Sequence, residues 1–173
     1  WFSESALLPL RFRSGIYGLP ETQDFLMLYY RTDICAELGI DPETDLETWD
    51  DIKSILPILQ SHSMNFGMPV PGVGAAGGTL NLFTTLLYQM GGELYVPDPD
   101  HQYDGISTTF NQEAALDAFK LWTDFYTVYG VPNAYDFSNW FRSGEMPIGI
   151  AGYSQYNQLS VFAPELEGFW SFA

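Results

Sequence analysis

The residues best suited to chemistry in this chain are aromatic rings interleaved with amides and hydroxyls, and the chemistry they suit is recognition of a polar ligand. Gly152-Tyr153-Ser154-Gln155-Tyr156 sets two phenols, a hydroxyl and an amide directly after an apolar run that alternates with small residues. Tyr135-Asp136-Phe137-Ser138-Asn139-Trp140 does the same at a predicted helix entry. Asn81 falls in the first turn of a helix that follows a Gly-rich stretch, and Thr79 is expected to cap that helix. Backbone donors at such an entry are unpaired and attract polar groups. Glu21-Thr22-Gln23-Asp24 stands just before the apolar run Phe25 to Tyr30, an interruption that core strands rarely carry unless those side chains are wanted. Rings that stack on apolar ring faces, beside amides that bond hydroxyls, are what a sugar site needs. The alternative use of each ring is packing in the core.

Catalytic chemistry has less to work with. His62 and His101 both sit in polar, turn-like surroundings without Ser or Cys partners in a known motif. Residues 72–78 are Gly-rich but lack the lysine and the spacing of a phosphate cradle. Asp98-Pro99-Asp100-His101-Gln102-Tyr103-Asp104-Gly105 is rich in oxygen ligands, yet it departs from the EF-hand pattern and reads as a solvated acidic turn. Glu21, Asp24 and Glu145 are carboxylates of the type a glycosidase would pair. Cys35, in Ile34-Cys35-Ala36-Glu37-Leu38, reads as a packed thiol. It is the only cysteine, so no intramolecular disulfide forms. No cofactor motif is present.

The net charge of −16, with six basic residues, removes the cationic footprint that a nucleic-acid binder needs. An anionic membrane surface would repel the same chain. High acidity suits a secreted or cell-surface protein. Phe, Tyr and Trp make up 17% of the residues, which reads either as a core built on large rings or as rings of which some face a ligand. A length of 173 residues suffices for one domain. The chain opens on Trp1-Phe2 and closes on Trp170-Ser171-Phe172-Ala173, and it is expected to be a fragment of a longer protein.

These residues must be positioned by a short list of elements. Residues 16–30 read as a strand pair, the second strand buried on both faces. Thr32-Asp33 is expected to open a helix over 32–38, stopped by Gly39. Thr48-Trp49-Asp50-Asp51 opens another, with Ile52, Ile55, Leu56 and Leu59 on one face and Pro57 inside. A strand at 65–70 leads to the Gly-rich loop, then to a helix buried through Leu82, Phe83, Leu86, Leu87 and Met90. Residues 93–108 read as a polar, turn-rich excursion. Asn111 is expected to cap the longest helix, with Ala115, Phe119, Trp122, Phe125, Tyr126 and Tyr129 in register. A helical turn at 138–144, a strand at 146–151, a helix capped by Ser154 and a last strand over 168–173 complete the order. The fold class is α/β: a mixed sheet flanked by helices and rich in them.

The chain also resembles a family. Ile16-Tyr17-Gly18-Leu19-Pro20 with Leu28-Tyr29-Tyr30-Arg31-Thr32-Asp33, the helix start Thr48-Trp49-Asp50-Asp51, Leu87-Tyr88-Gln89-Met90-Gly91-Gly92, Phe141 to Tyr153 and Pro164 to Trp170 are similar, in order, to segments of the bacterial extracellular solute-binding proteins of family 1, the maltose-binding-protein-like proteins that feed ABC importers. The resemblance implies a type II periplasmic-binding-protein-like lobe over 1–173, mainly the C-terminal one, with hinge strands near 14–31 and 168–173. It implies capture of a small molecule, a carbohydrate or oligosaccharide, by hinge closure of two lobes. An ABC permease is the implied partner, and a lipid anchor outside this chain the implied link to the membrane. Carried over, Gln23 or Asp24 takes the hinge polar position, Thr79 and Asn81 the helix-entry contacts, Tyr135 a loop ring, and Tyr153, Ser154 and Tyr156 the site after the strand. Two departures stand out: Glu145-Met146-Pro147 is compressed, and Tyr153-Ser154 replaces a common Trp. A carbohydrate-active enzyme using carboxylates, or a surface sensor or adhesion module, remain the alternative readings.

Overall fold

The computed structural model describes residues 2–21, 24–69, 78–98 and 102–173. Its elements, in order, are α1 (Glu4–Leu7), β1 (Arg11–Phe12), β2 (Gly15–Ile16), β3 (Leu26–Arg31), α2 (Thr32–Leu38), α3 (Trp49–Ser61), β4 (Phe66–Gly67), α4 (Gly78–Gln89), β5 (Tyr95–Asp98), β6 (Gln102–Thr108), α5 (Glu113–Thr127), α6 (Phe137–Ser143), β7 (Ile148–Gly152), α7 (Ser154–Phe162) and β8 (Trp170–Phe172).

The central sheet has the order β4-β7-β3-β8. β4 runs parallel to β7, whereas β3 runs antiparallel to both β7 and β8, so the sheet is mixed, as expected. Alternation along β3 serves two cores at once. Leu26, Leu28 and Tyr30 face one cluster, built from α3, α4 and α5 with Phe66 and Ile148. Met27 and Tyr29 face a second, built from Phe137, Phe141, Met146, Leu159 and Trp170. The strand thus carries apolar residues toward both faces, although along it only Tyr29 is fully buried and Arg31 nearly so.

Local sequence explains α3 best. The Thr48 side chain accepts from the Asp51 backbone N–H, and the Asp51 carboxylate accepts from that of Thr48, a closed capping box. Ile52, Ile55, Leu56 and Leu59 are all buried, each adding about 2 kcal/mol of hydrophobic stabilisation. Gly149 faces Gly67 across the β4–β7 pair, where a Cβ would stand 2.8 Å from the Gly67 Cα. Neither strand could approach so closely with any larger residue there.

Arg31 joins the sheet to α6. Its Nε and Nη2 donate to the Asp33 carboxylate at 2.9 and 2.6 Å, and its Nη1 donates to the carbonyls of Phe141 and Arg142. The guanidinium therefore satisfies the last turn of α6, where backbone carbonyls lack partners. Its hydrogen bond holds the Asp33 carboxyl below the usual carboxylate range.

Several elements differ from the sequence reading. β2 pairs with β1 and not with β3, so residues 16–30 are not one strand pair. β5 and β6 pair antiparallel where a turn-rich excursion over 93–108 was expected; Pro97 and the acidic residues hide their strand character. Thr32 lies inside α2 with Arg31 at the N-cap position, and Ser154 lies inside α7 with Tyr153 at the N-cap position, neither cap making a side-chain bond. Gln112, not Asn111, stands at the N-cap position of α5, without a side-chain cap bond. Phe119 is exposed and not part of the buried stripe. The Gly-rich loop at 71–77 and His101 lie outside the described residues, as does the middle of the acidic segment 98–105.

Candidate functional site

Strand directions collect the candidate residues at one edge of the sheet. β4 and β7 are parallel and end there, while the antiparallel β3 begins there. β8 also finishes at this edge, with Ala173 bonded through both its N–H and C=O to Leu28. In open α/β sheets, ligands bind outside the carboxyl ends of parallel strands.

Asp24 precedes β3 and meets the turn after β7. Its Oδ1 accepts from the Ser154 backbone N–H at 3.1 Å and from the Phe25 N–H at 3.1 Å; its Oδ2 accepts from the Ser154 hydroxyl at 3.2 Å. A carboxylate at the start of α7 satisfies an orphan donor and opposes the positive end of the helix dipole. Gly152 is what permits this approach: a Cβ there would stand 2.5 Å from Asp24 Oδ2. The Tyr153 N–H donates to the Phe25 carbonyl at 2.8 Å, extending the ladder one step past the strand.

This anchored turn presents a row of rings. Phe25 stacks on Tyr153, with centroids 5.1 Å apart and planes 13° apart. Tyr153 in turn stacks on Tyr156 at 5.8 Å and 11°. Tyr156 meets Trp170 and Phe172 edge-on at 5.6 and 5.8 Å. Phe25 is 53% exposed, Tyr153 36% and Tyr156 37%, so the row is open to solvent. Beneath it, the Tyr29 hydroxyl donates to the Gly152 and Tyr153 carbonyls at 3.1 and 3.3 Å. Burial pushes the Tyr29 phenol up to about 12, so it remains a donor at any physiological pH.

Of the residues singled out in the sequence, Asp24, Tyr153, Ser154 and Tyr156 come together. Asp24 and Ser154 are bonded to each other; Tyr153 and Tyr156 supply the surface. Tyr135 lies near the end of β4: its hydroxyl donates to the Met68 carbonyl, its ring packs on Trp140, and burial pushes its phenol up. It is half-buried. Thr79 and Asn81 fall in the first turn of α4, which begins at Gly78, so Thr79 is not its cap. Gln23 lies outside the described residues. Phe25, Trp170 and Phe172 belong to the ring surface but were not singled out; strand register, not local sequence, places them there. His62 is exposed, its Nδ1 3.0 Å from the Ile58 carbonyl.

Asp24 and Glu145, two of the three candidate carboxylates, do not pair around this edge. Glu145 precedes the start of β7 and Asp24 meets its end, so the strand between them separates the two by about 20 Å. Glycosidase carboxylates stand roughly 5 to 10 Å apart. No cluster of three or more metal-ligating side chains occurs among the described residues. Cys35 is buried, and desolvation pushes its thiol up to about 11, as a packed thiol requires.

The family model described as bacterial extracellular solute-binding protein matches residues 2–169. Solved structures share the fold. An ABC transporter solute binding protein from Thermotoga Lettingae TMO, bound with alpha-D-tagatose, has a TM-score of 0.80 at 24% identity, over 99% of this chain and 44% of that one. Maltose-bound MalE3 of T. maritima has a TM-score of 0.78 at 18% identity, over 99% of this chain and 43% of that one. UgpB from Mycobacterium tuberculosis, in complex with glycerophosphocholine, has a TM-score of 0.75 at 17% identity, over 98% and 40%. The chain thus spans less than half the length of these structures, and at such identities the likeness is one of fold.

Proposed function

The chain belongs to the bacterial extracellular solute-binding protein family, and from that membership we propose that it is one lobe of a two-lobed protein that captures a carbohydrate for an ABC importer. The observation that carries this reading is the open row Phe25–Tyr153–Tyr156 at the sheet edge where β3 enters and β8 leaves. Flat ring faces and phenol hydroxyls beside a polar turn suit a saccharide, which offers apolar ring faces and hydroxyl rims.

Two neighbouring strands that cross at that same edge suit hinge segments, near 14–31 and 168–173. Residues 2–21 support the same division: Leu8, Phe12, Ile16, Tyr17 and Leu19 are all exposed there. A second lobe would cover them and supply the other wall of the cleft. Hinge closure then adds contacts present only in the closed state, which is the state a permease would recognise.

The ligands named with related structures, tagatose and maltose among them, favour sugar. Glycerophosphocholine, named with another, needs a phosphate partner. None of the six basic residues is among the residues in contact at this edge, and Arg31 and Arg142 are engaged by Asp33 and Glu165. A neutral saccharide therefore fits better than a phosphodiester. The family is one of binding proteins, and the separation of Asp24 from Glu145 weighs against glycoside hydrolysis. The family's description as extracellular supports a location outside the cytoplasm. Among the described residues no helix is long and apolar enough to cross a membrane; a lipid anchor on the parent protein would hold it at the surface.

The test is calorimetric titration of the parent protein with tagatose, maltose, maltotriose and β-1,6-galactobiose. Binding of at least one, weakened by Tyr153→Ala, supports the reading. Binding of none of them, together with hydrolysis of a chromogenic glycoside, would replace it with the enzymatic alternative.

A further inference from the structure

We propose that Tyr29 is a positioning residue for the ring row, acting from the core through the turn that carries Tyr153 and Tyr156. The inference rests on the saccharide-site reading for its consequence, but its geometry stands alone.

Tyr29 is fully buried and lies edge-on or tilted against Phe137, Phe141, Trp170 and Phe172. A phenylalanine would fill that space equally well. What the hydroxyl adds is a single donor shared between the carbonyls of Gly152 and Tyr153. These two carbonyls bracket the point where β7 ends and α7 begins. The Tyr153 carbonyl also accepts the Tyr156 N–H at 2.9 Å, so the same small network sets where both rings leave the backbone. From the solvent side, Asp24 holds Ser154. The turn is pinned on both sides, and the near-parallel stacking at 13° and 11° follows from the pinning. Rings fixed before the ligand arrives lose less freedom on binding.

The test is Tyr29→Phe, read first by NMR on this chain with no ligand present. The expected result is that the Tyr153 and Tyr156 ring resonances lose their stacking shifts while the Ile55 and Leu59 methyl resonances of the opposite core stay in place. Ile55→Val, which loosens that opposite core, should lower the melting temperature and leave the ring resonances where they are. The second readout is the parent protein's affinity for whichever of tagatose, maltose, maltotriose and β-1,6-galactobiose it binds. Tyr29→Phe should weaken that affinity by about fivefold, and Ile55→Val should leave it unchanged. Ring resonances unmoved by Tyr29→Phe overturn the proposal. Moved resonances with unchanged affinity overturn its link to binding. Absence of binding to all four sugars defeats the saccharide reading and leaves the positioning result standing.

Discussion

The carboxylate of Asp24 accepts both the backbone N–H and the hydroxyl of Ser154, a residue 130 positions further along the chain, at 3.1 and 3.2 Å. One contact thereby closes the turn between β7 and α7 onto the segment that leads into β3. If that contact caps α7, Asp24→Ala should cost about 1 kcal/mol and lower the melting temperature by roughly 2 to 4 °C in a chain of this size. Ser154→Ala removes one of the two bonds and should cost less. The double variant should lose less than the sum of the singles, since they share partners. Strict additivity in thermal melts would show that the pair is not coupled.

Replacing Tyr153 by Ala removes a half-exposed ring stacked on both Phe25 and Tyr156, and replacing Tyr156 by Ala removes one stacked on Tyr153 alone. In the parent protein each change should weaken saccharide binding about tenfold, while thermal stability shifts by less than a degree or two for these exposed positions. Calorimetry on the same protein preparations decides between a binding and a packing role. Unchanged affinity would remove that ring from the site.

The Arg31–Asp33 pair makes an acid-dependent contribution to stability. Asp33 is held below its ordinary value by the hydrogen bond from Arg31. A depressed carboxyl stabilises the fold above the unfolded value of about 3.9, and that stabilisation disappears as pH falls through the folded value. Asp33→Asn also leaves a nearly buried guanidinium without its counter-charge. It should therefore cost about 2 kcal/mol at pH 7, shrinking as the pH drops below 4. Urea unfolding of both proteins at pH 7 and pH 3 measures the difference. An equal cost at both values would contradict the assignment.

Cys35 should resist alkylation at pH 8 in the folded chain and react on unfolding, because its thiol is buried and desolvation pushes it up to about 11. Pulse labelling with and without urea checks this, and rapid labelling without urea would contradict it.

What the sequence reveals follows the range of the interactions. α3 was legible because its signals are local: the Thr48–Asp51 box lies within one turn and the buried stripe repeats every three or four residues. The same holds for Gly39 and Gly144, which end their helices with positive φ. Tyr153 and Tyr156 were legible because rings and a hydroxyl follow directly on a strand. Phe25 and Phe172 were not, since they reach the ring row only through the pairing of β3 with β7 and β8. The bond between Asp24 and Ser154 was hidden for the same reason: each residue was visible, and their partnership was not. The β5–β6 hairpin was obscured by Pro97 and by acidic residues that resemble loop composition.

In the proposed two-lobe protein this edge is one wall of a cleft that a second lobe completes. Calorimetric titration of the parent protein and of the 173-residue chain with the same saccharides tests this arrangement. The parent should bind, and the chain alone should bind at least a hundredfold more weakly, because it lacks the contacts made on closure. Equal affinity of the two would rule out a cleft shared between two lobes.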